Sequence, residues 1–471
     1  WLFAVAWLLG STWWLYISMN TYGGLPAPVA AMAVFLLAAG LAVFYGIACT
    51  VFHVICKTDV GTVSRSFAFA AVWVLAEMLR GTLWTGFPWG AVGYAHVDSV
   101  LQHWAPWGGV YGLCALSAWL AMSVAMQRRG RTKSGRAAGA FVALMVAGLG
   151  YTWFESPSQT AVRVDVSAKP LRVTLLQGNI PQDLKFGEGV DRALHDYREA
   201  LLSSTSDLTV TPETALPLIP EQLPDGYWRG LQTHFSNASR AALIGLPLVR
   251  RNEQGQLQYS NSALGLMPQV TPASTATYQY DKHHLVPFGE FVPPLFQWFV
   301  RMMHIPLGDF TRGDVAQPSL HLKGERIAPN ICYEDLFGEE LARGFAVPEA
   351  APTLMVNLSN IAWFGNTVAI DQHLQISRMR ALELGRPMLR ATNTGATAII
   401  NAQGVVTHRL PSAVQGVLTA EVYGVHGPVT PYARWVSVWG LWPLAGLALF
   451  TLSVIASMAY LARRGTKRFG P

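Results

Sequence analysis

Charge is what this sequence lacks most. Only 13% of its 471 residues are Asp, Glu, Lys or Arg, about half the share usual in soluble domains. A wholly soluble chain is excluded. Disorder is excluded too, because 51% of the residues are hydrophobic and 11% aromatic, and few segments are too polar to bury their apolar surface. Cysteine is scarce: Cys49, Cys56 and Cys114 lie in or near apolar runs, which leaves Cys332 alone in the polar part of the chain. No disulfide can form within that part. No HExxH, paired-cysteine spacing or Walker-type glycine loop occurs, and His283 and His284 point apart in extended chain, so no metal and no cofactor is expected. The formal charge of +6 would suit nucleic acid only if the basic residues clustered on a soluble face. They lie instead in short loops between apolar runs, so no nucleic-acid partner is expected.

Those runs set the class. Residues 1–19 and 28–52 carry no charge and are long enough to cross a hydrocarbon core of about 30 Å as helices. A third run, 67–83, contains Glu77 and Arg80, whose spacing lets them pair on one helical face. Runs 107–126, 137–154 and 435–462 complete the set, edged by Trp, Tyr or Arg as interfacial anchors are. Basic residues mark the side that stays in the cytoplasm: Lys57 and Arg65, then Arg128, Arg129, Arg131, Lys133 and Arg136, and finally Arg463, Arg464, Lys467 and Arg468. All three groups fall on one side by span counting. The predicted organisation is transmembrane helices over 1–154, an exported domain over 155–430, and a final helix with a cytoplasmic basic tail over 431–471. The chain has no initiator Met and Trp1 sits inside an apolar run, as expected of a sequence that lacks upstream residues.

The exported part has a different texture. Short β-branched runs (RVTLLQG, DLTVTPE, AALIGLP, SALGLM, RIAPNICYE, PTLMVNLS, ATAIINAQG) are interspersed with helical stretches at 190–204 and 368–384. That pattern predicts two sheets with helices outside. Residues 155–170 and 424–434 read as linkers to the membrane part. Cys332 ends the strand RIAPNIC, where it fits either a small buried residue or a nucleophile. A thiol needs a base to become a good nucleophile. Glu213, in TVTPETALP, and Lys282, in YQYDKHHLVPFGEFVPP, are candidate partners, although each alone also fits an exposed residue of a polar turn.

Taken together, TPETALP, DKHHLVPFGEFVP and NICYE, in that order, resemble the Glu, Lys and Cys blocks of the nitrilase superfamily. LVPFGEFVP, ALELGRPMLRATNTG, TPYAR and LRGTLWTGFPWGAVGY narrow the resemblance to the apolipoprotein N-acyltransferase family over essentially the whole chain. The fold this implies is a membrane α-helical bundle plus an α/β nitrilase-like αββα sandwich. That family has eight spans, and WLYISMNTYGGLPAP resembles the end of its third, so this chain is expected to lack the first two. By resemblance Glu213 is the general base, Lys282 the oxyanion stabiliser and Cys332 the nucleophile. Glu290, Tyr333 and Glu334 are supporting neighbours, while Asn261 and Trp363 match further pocket positions. Two departures stand out: Ile361 where the family usually has Asp, and Phe186 where it often has Trp.

The resemblance implies transfer of an sn-1 acyl chain from a phospholipid of the phosphatidylethanolamine type, through a Cys332 thioester, to the terminal amine of a diacylglyceryl-cysteine apolipoprotein. It also implies a multi-pass protein of the bacterial inner membrane whose catalytic domain is periplasmic. A membrane-tethered nitrilase-type amidase with the same three residues is the alternative. A waiting thioester must be kept dry. The apolar stretch after Glu290, with Trp298 and Phe299, reads either as a lid dipping into the outer leaflet or as a helix packed on the domain core. Trp84, Trp89 and Tyr94 are candidate interfacial contacts.

Overall fold

The computed structural model describes residues 1–57, 60–127, 169–185, 187–268, 277–293 and 310–468. The chain divides into two compact units, one of Trp1–Trp13, Met32–Ala161 and Thr430–Pro471 and the other of Trp14–Ala31 and Val162–Val429. The predicted span 137–154, the basic loop 128–136, nearly all of the linker 155–170, and Phe186, Trp298 and Phe299 lie outside the described residues.

In the helical unit, four described helices are long and apolar enough to cross a membrane: Ala27–Ile55, Thr62–Thr85, Val100–Met126 and Trp442–Arg464. Burying charge in such a bundle requires pairing. Glu77 and Arg80 meet at 2.8 Å, both side chains fully buried, and Arg80 also donates to the carbonyl oxygens of Phe87 and Trp89. Of the three aromatic residues read as interfacial, Trp84 is exposed while Trp89 and Tyr94 are buried in protein. The predicted last span breaks at Gly440, whose φ of +56° suits glycine. Pro431–Trp439, which starts inside the segment read as a linker, and Trp442–Arg468 are therefore separate helices.

The α/β unit holds two six-stranded sheets. The first runs in the order β12 (Gly416–Val422), β1 (Leu171–Gln177), β2 (Leu208–Val210), β3 (Ala241–Arg251), β4 (Leu257–Leu266), β5 (Thr277–Asp281). The second runs β11 (Val406–Arg409), β10 (Ala398–Ile400), β9 (Met388–Thr392), β8 (Leu354–Ser359), β7 (Glu325–Ile331), β6 (Leu320–Leu322). β1, β2 and β3 are parallel, as are β7, β8 and β9. Central parallel strands are covered on both faces, which is why β8 and β9 are buried at every residue. Val173, Leu175, Val210 and Leu243 of the first sheet share one core with Ile327, Ile331, Val356 and Leu389 of the second. A second core packs the outer face of the first sheet against helices Val190–Ser203 and Tyr227–Ser236 through Leu194, Leu201, Leu231, Phe235 and Ile244. Helix Ala369–Leu384 lies against β9 and β10. The result is the αββα sandwich implied by the sequence.

The apolar run 1–19 is not one element. It breaks after Leu2–Thr12, and the chain from Trp14 belongs to the α/β unit. Trp14 Nε1 donates to Gln372 Oε1 at 3.0 Å, its ring lies 4.3 Å from Phe364, and Tyr22 meets Trp363 edge-on at 6.0 Å. Leu25 and Ala30 are buried with Tyr16, Met19 and Phe288 packed on them.

Candidate active site

Several strand ends of this unit converge on one cluster of polar side chains. Glu213 follows β2 through Thr211 and Pro212, and this turn crosses β3 so closely that a Cβ on Gly245 would stand 2.2 Å from the Pro212 carbonyl oxygen. Glu213 Oε1 accepts from Asn261 Nδ2 at 2.8 Å and from Lys282 Nζ at 3.1 Å. Its other oxygen accepts the Asn360 main-chain N–H at 2.9 Å. Lys282 is the first residue past β5 and is held by donation from its own N–H to the Asn261 carbonyl. Nζ of Lys282 lies 3.0 Å from Glu290, whose carboxylate also accepts from Asn261 Nδ2 at 2.6 Å and from the Val286 N–H at 2.8 Å. The ammonium is 1% exposed and sits between two carboxylates.

Cys332 is the first residue past β7 and has φ +52°, a left-handed conformation costly for a residue with a Cβ. Donors brace it. Its carbonyl oxygen faces Asn357 Nδ2 at 3.3 Å and His373 Nε2 at 3.2 Å. Arg390 Nη2 lies 3.1 Å from His373 Nδ1. A guanidinium only donates, so Nδ1 accepts and Nε2 carries the hydrogen given to Cys332. The Cys332 sulfur takes a weak contact from Ser359 Oγ at 3.5 Å and a hydrogen bond from the Asn360 main chain, the same N–H that reaches Glu213.

Burial and charge set the protonation states. Burial pushes the Cys332 thiol up to about 12 and the Glu213 charge adds to this, with Lys282, Ser359 and Asn360 pulling partly back. At neutral pH the resting thiol is protonated. Burial also raises the Glu213 carboxyl, but Lys282, Lys185 and the Asn261 amide outweigh it and hold the group below the ordinary carboxylate value. Burial disfavours the Lys282 ammonium, yet Glu213 and Glu290 reverse this and hold it charged. An ionised carboxylate, an ammonium and a neutral thiol on a part-buried cysteine, gathered in one cluster, are the parts that thiol acyl chemistry needs.

Glu213, Lys282, Cys332, Glu290 and Asn261 are thus brought together. Glu334 is a tie behind them: its carboxylate accepts from the N–H groups of Ile331, His283 and His284 and from the Tyr280 hydroxyl, joining β7 to the turn that carries Lys282. Tyr333 packs instead with Phe337 and His284, and Trp363 with Tyr22. Ile361 is buried. Sequence reasoning missed Asn360, His373 and Lys185. Asn360 was findable, since it follows the strand PTLMVNLS at the position equivalent to Cys332 after RIAPNI.

The fold and this site define a nitrilase-type protein joined to a helical unit, and residues 172–424 match the carbon-nitrogen hydrolase family. Residues 1–123 match the apolipoprotein N-acyltransferase N-terminal domain. A protein of Verminephrobacter eiseniae named apolipoprotein N-acyltransferase is 50% identical over 456 residues, 93% of this chain and 82% of that protein. Another so named, from Ralstonia nicotianae, is 44% identical over 466 residues, 98% of this chain and 84% of that one. This chain belongs to the apolipoprotein N-acyltransferase family. Among solved structures, an amidase from Nesterenkonia sp. superposes with a TM-score of 0.41 at 17% identity, covering 58% of this chain and 97% of that one.

Proposed function

We propose that this protein moves a fatty acyl chain from the sn-1 ester of a phospholipid of the phosphatidylethanolamine type to the α-amino group of a diacylglyceryl-cysteine apolipoprotein, through a thioester on Cys332. The observation that carries the reading is Lys282, a buried ammonium shared by two carboxylates, whose charge and that of Glu213 both act on the Cys332 thiol. Family membership supplies the substrate classes, and the membrane-length helices explain why an enzyme of acyl chains would carry them. Each methylene drawn out of lipid costs about 0.8 kcal/mol, so the site must work at a bilayer. The basic loops support a catalytic unit facing outward from the cytoplasm of a bacterial inner membrane.

The thiol and Glu213 are too far apart in proton affinity for a free thiolate to accumulate. Proton transfer to Glu213 therefore accompanies attack, as the negative charge passes from sulfur to the ester oxygen beside Lys282. The C–S bond forms, the ester C–O bond breaks, and Glu213 returns the proton to the departing lysophospholipid. In the second half the amine attacks the thioester, the amide bond forms, the C–S bond breaks, and the amine proton passes by Glu213 to the sulfur. Ping-pong kinetics follow. Replacing Trp298 and Phe299, which belong to the apolar stretch after Glu290, by Ser should impair acylation from lipid far more than reaction of the thiol with a small soluble probe.

Mass spectrometry of purified protein exposed to dipalmitoyl phosphatidylethanolamine tests the reading. A palmitoyl adduct on Cys332, discharged by a diacylglyceryl-cysteine peptide and absent from Glu213→Gln, supports it. Turnover of small amides with no lipid adduct would replace it with the membrane-tethered amidase.

A further inference from the structure

Lys185 lies in the turn after β1 and is 3% exposed, which is rare for a lysine. Its Nζ donates to the main-chain carbonyl oxygen of Glu213 at 3.0 Å. That carbonyl leads into Thr214, whose φ of +48° is left-handed, so the bond anchors the backbone where it is strained. The same turn is tied down at both ends. Gln182 accepts from the Asn360 amide at 2.8 Å, and the main chain of Ile180 exchanges two hydrogen bonds with the Asn393 side chain. Lys185 is thus built into the site rather than folded over it.

Charge counting gives it a second task. With Glu213 and Glu290 ionised and Lys282 protonated, the cluster carries one uncompensated negative charge. Moving the thiol proton onto Glu213 leaves that total unchanged but puts the charge on sulfur, then on the substrate oxygen, with Glu290 still opposing it. A second buried cation makes the total zero throughout.

We propose that Lys185 is a positioning residue of this site, whose ammonium fixes the Glu213 main chain and supplies a second positive charge that acts on the Glu213 carboxylate and the Cys332 sulfur. The proposal deepens the acyl-transfer reading and rests on it for the reaction, though not for the reactivity of the thiol. Burial pulls the Lys185 ammonium down to about 8, with Glu213 and Cys332 acting the other way. These two groups face it; Lys282 stands one hydrogen bond beyond Glu213, and Glu290 two, through Lys282 or Asn261. The charge is therefore present at neutral pH and lost as pH rises through about 8.

The test uses the full chain in detergent and two readouts, alkylation of Cys332 by iodoacetamide and acyl-adduct formation from dipalmitoyl phosphatidylethanolamine, each from pH 6 to 9.5. Lys185→Gln keeps an N–H donor without the charge, Lys185→Arg keeps the charge at every pH used, and Lys185→Met keeps neither. Loss of one nearby cation raises a thiol by one unit or more, so Lys185→Gln should slow both reactions at pH 7 by about tenfold. The donor KM should stay within about twofold, because substrate binding is untouched. In the wild type, the cation's contribution to reactivity, read as the rate ratio to Lys185→Gln, should shrink above about pH 8, and in Lys185→Arg it should persist there. Lys185→Gln and Lys185→Met proteins that match the wild type in rate and pH profile would overturn the proposal, as would a Lys185→Arg protein as slow as Lys185→Gln. A wild type that forms no acyl adduct would sink the acyl-transfer reading alone, because alkylation still reports on Lys185.

Discussion

Each unit of this protein buries an ion pair, and the two are built differently. In the helical unit Arg80 meets one carboxylate, Glu77, and spends further N–H groups on two main-chain carbonyls. In the α/β unit Lys282 meets two carboxylates, Glu213 and Glu290, which a single amide, Asn261, also bridges. The first arrangement balances charge and ends on backbone, so it holds the Phe87–Trp89 turn to its helix and offers nothing to a substrate. The second gathers two carboxylates and two ammonium groups, Lys282 and Lys185, next to a thiol. Burial alone therefore does not mark a site. A cluster of several coupled charges at strand ends, beside a nucleophile, does.

The sharpest way to break this contrast is to remove the cation from each. Lys282→Met should lower Cys332 acylation by about a hundredfold to a thousandfold, the usual cost of one oxyanion donor. It should also destabilise the fold by roughly 3–5 kcal/mol, because two carboxylates are left buried without their partner. Adding Glu290→Gln should restore part of the thermal midpoint and none of the activity. If Lys282→Met keeps activity within about tenfold of wild type, Lys282 is a clamp and the distinction fails. Arg80→Met strands Glu77 and should cost a similar roughly 3–5 kcal/mol, while the protein that remains folded acylates Cys332 at the wild-type rate. Thermal midpoints and adduct rates on the same samples separate the two outcomes.

A smaller effect is expected behind the nucleophile. His373 gives the Cys332 carbonyl a hydrogen only because Arg390 fixes its tautomer. His373→Phe leaves that carbonyl with Asn357 as its remaining donor and deprives an Arg390 N–H of its acceptor, at about 1–3 kcal/mol. It should slow iodoacetamide alkylation of Cys332 several-fold, and His373→Gln, which keeps a donor, should recover most of that rate. Equal rates in both variants would mean that the left-handed turn at Cys332 stands without this brace.

What the sequence let one read, and what it hid, follows the same division. Strands such as RIAPNIC and PTLMVNLS stand out because central parallel strands are apolar on both faces, and Cys332 stands out because no other cysteine shares its part of the chain. Strand β5, TYQYD, was hidden: it lies at a sheet edge, half exposed, is only five residues long, and leads into the polar DKHH segment. Residues 14–19 were hidden for the opposite reason. Hydropathy responds alike to lipid and to a protein surface, so the break before Trp14 does not show in an apolar run, although Gly23, Gly24 and Pro26 mark the turn that follows. Glu77 and Arg80 were legible as a pair because helix spacing is local. Lys185 was not, since its burial depends on β2, β3 and Asn360 arriving from far along the chain.

The smallest expected effect tests whether Glu334 belongs with the clamps. Burial pushes its carboxyl up to about 7, while four donors aimed at it favour the ionised form. With a folded value near 7 against an ordinary 4.5, the native state keeps a proton that the unfolded chain releases between those two values. The contribution is full below pH 4.5 and is lost as pH rises through about 7. Glu334→Gln removes this titration, so the thermal midpoint of the wild type relative to the variant should fall between pH 5 and pH 8. A gap that stays constant would mean that the four donors keep the carboxylate ionised across the whole range. Glu334 would then be a balanced tie of the Arg80 kind, with its charge spent entirely on holding the turn that carries Lys282 against β7.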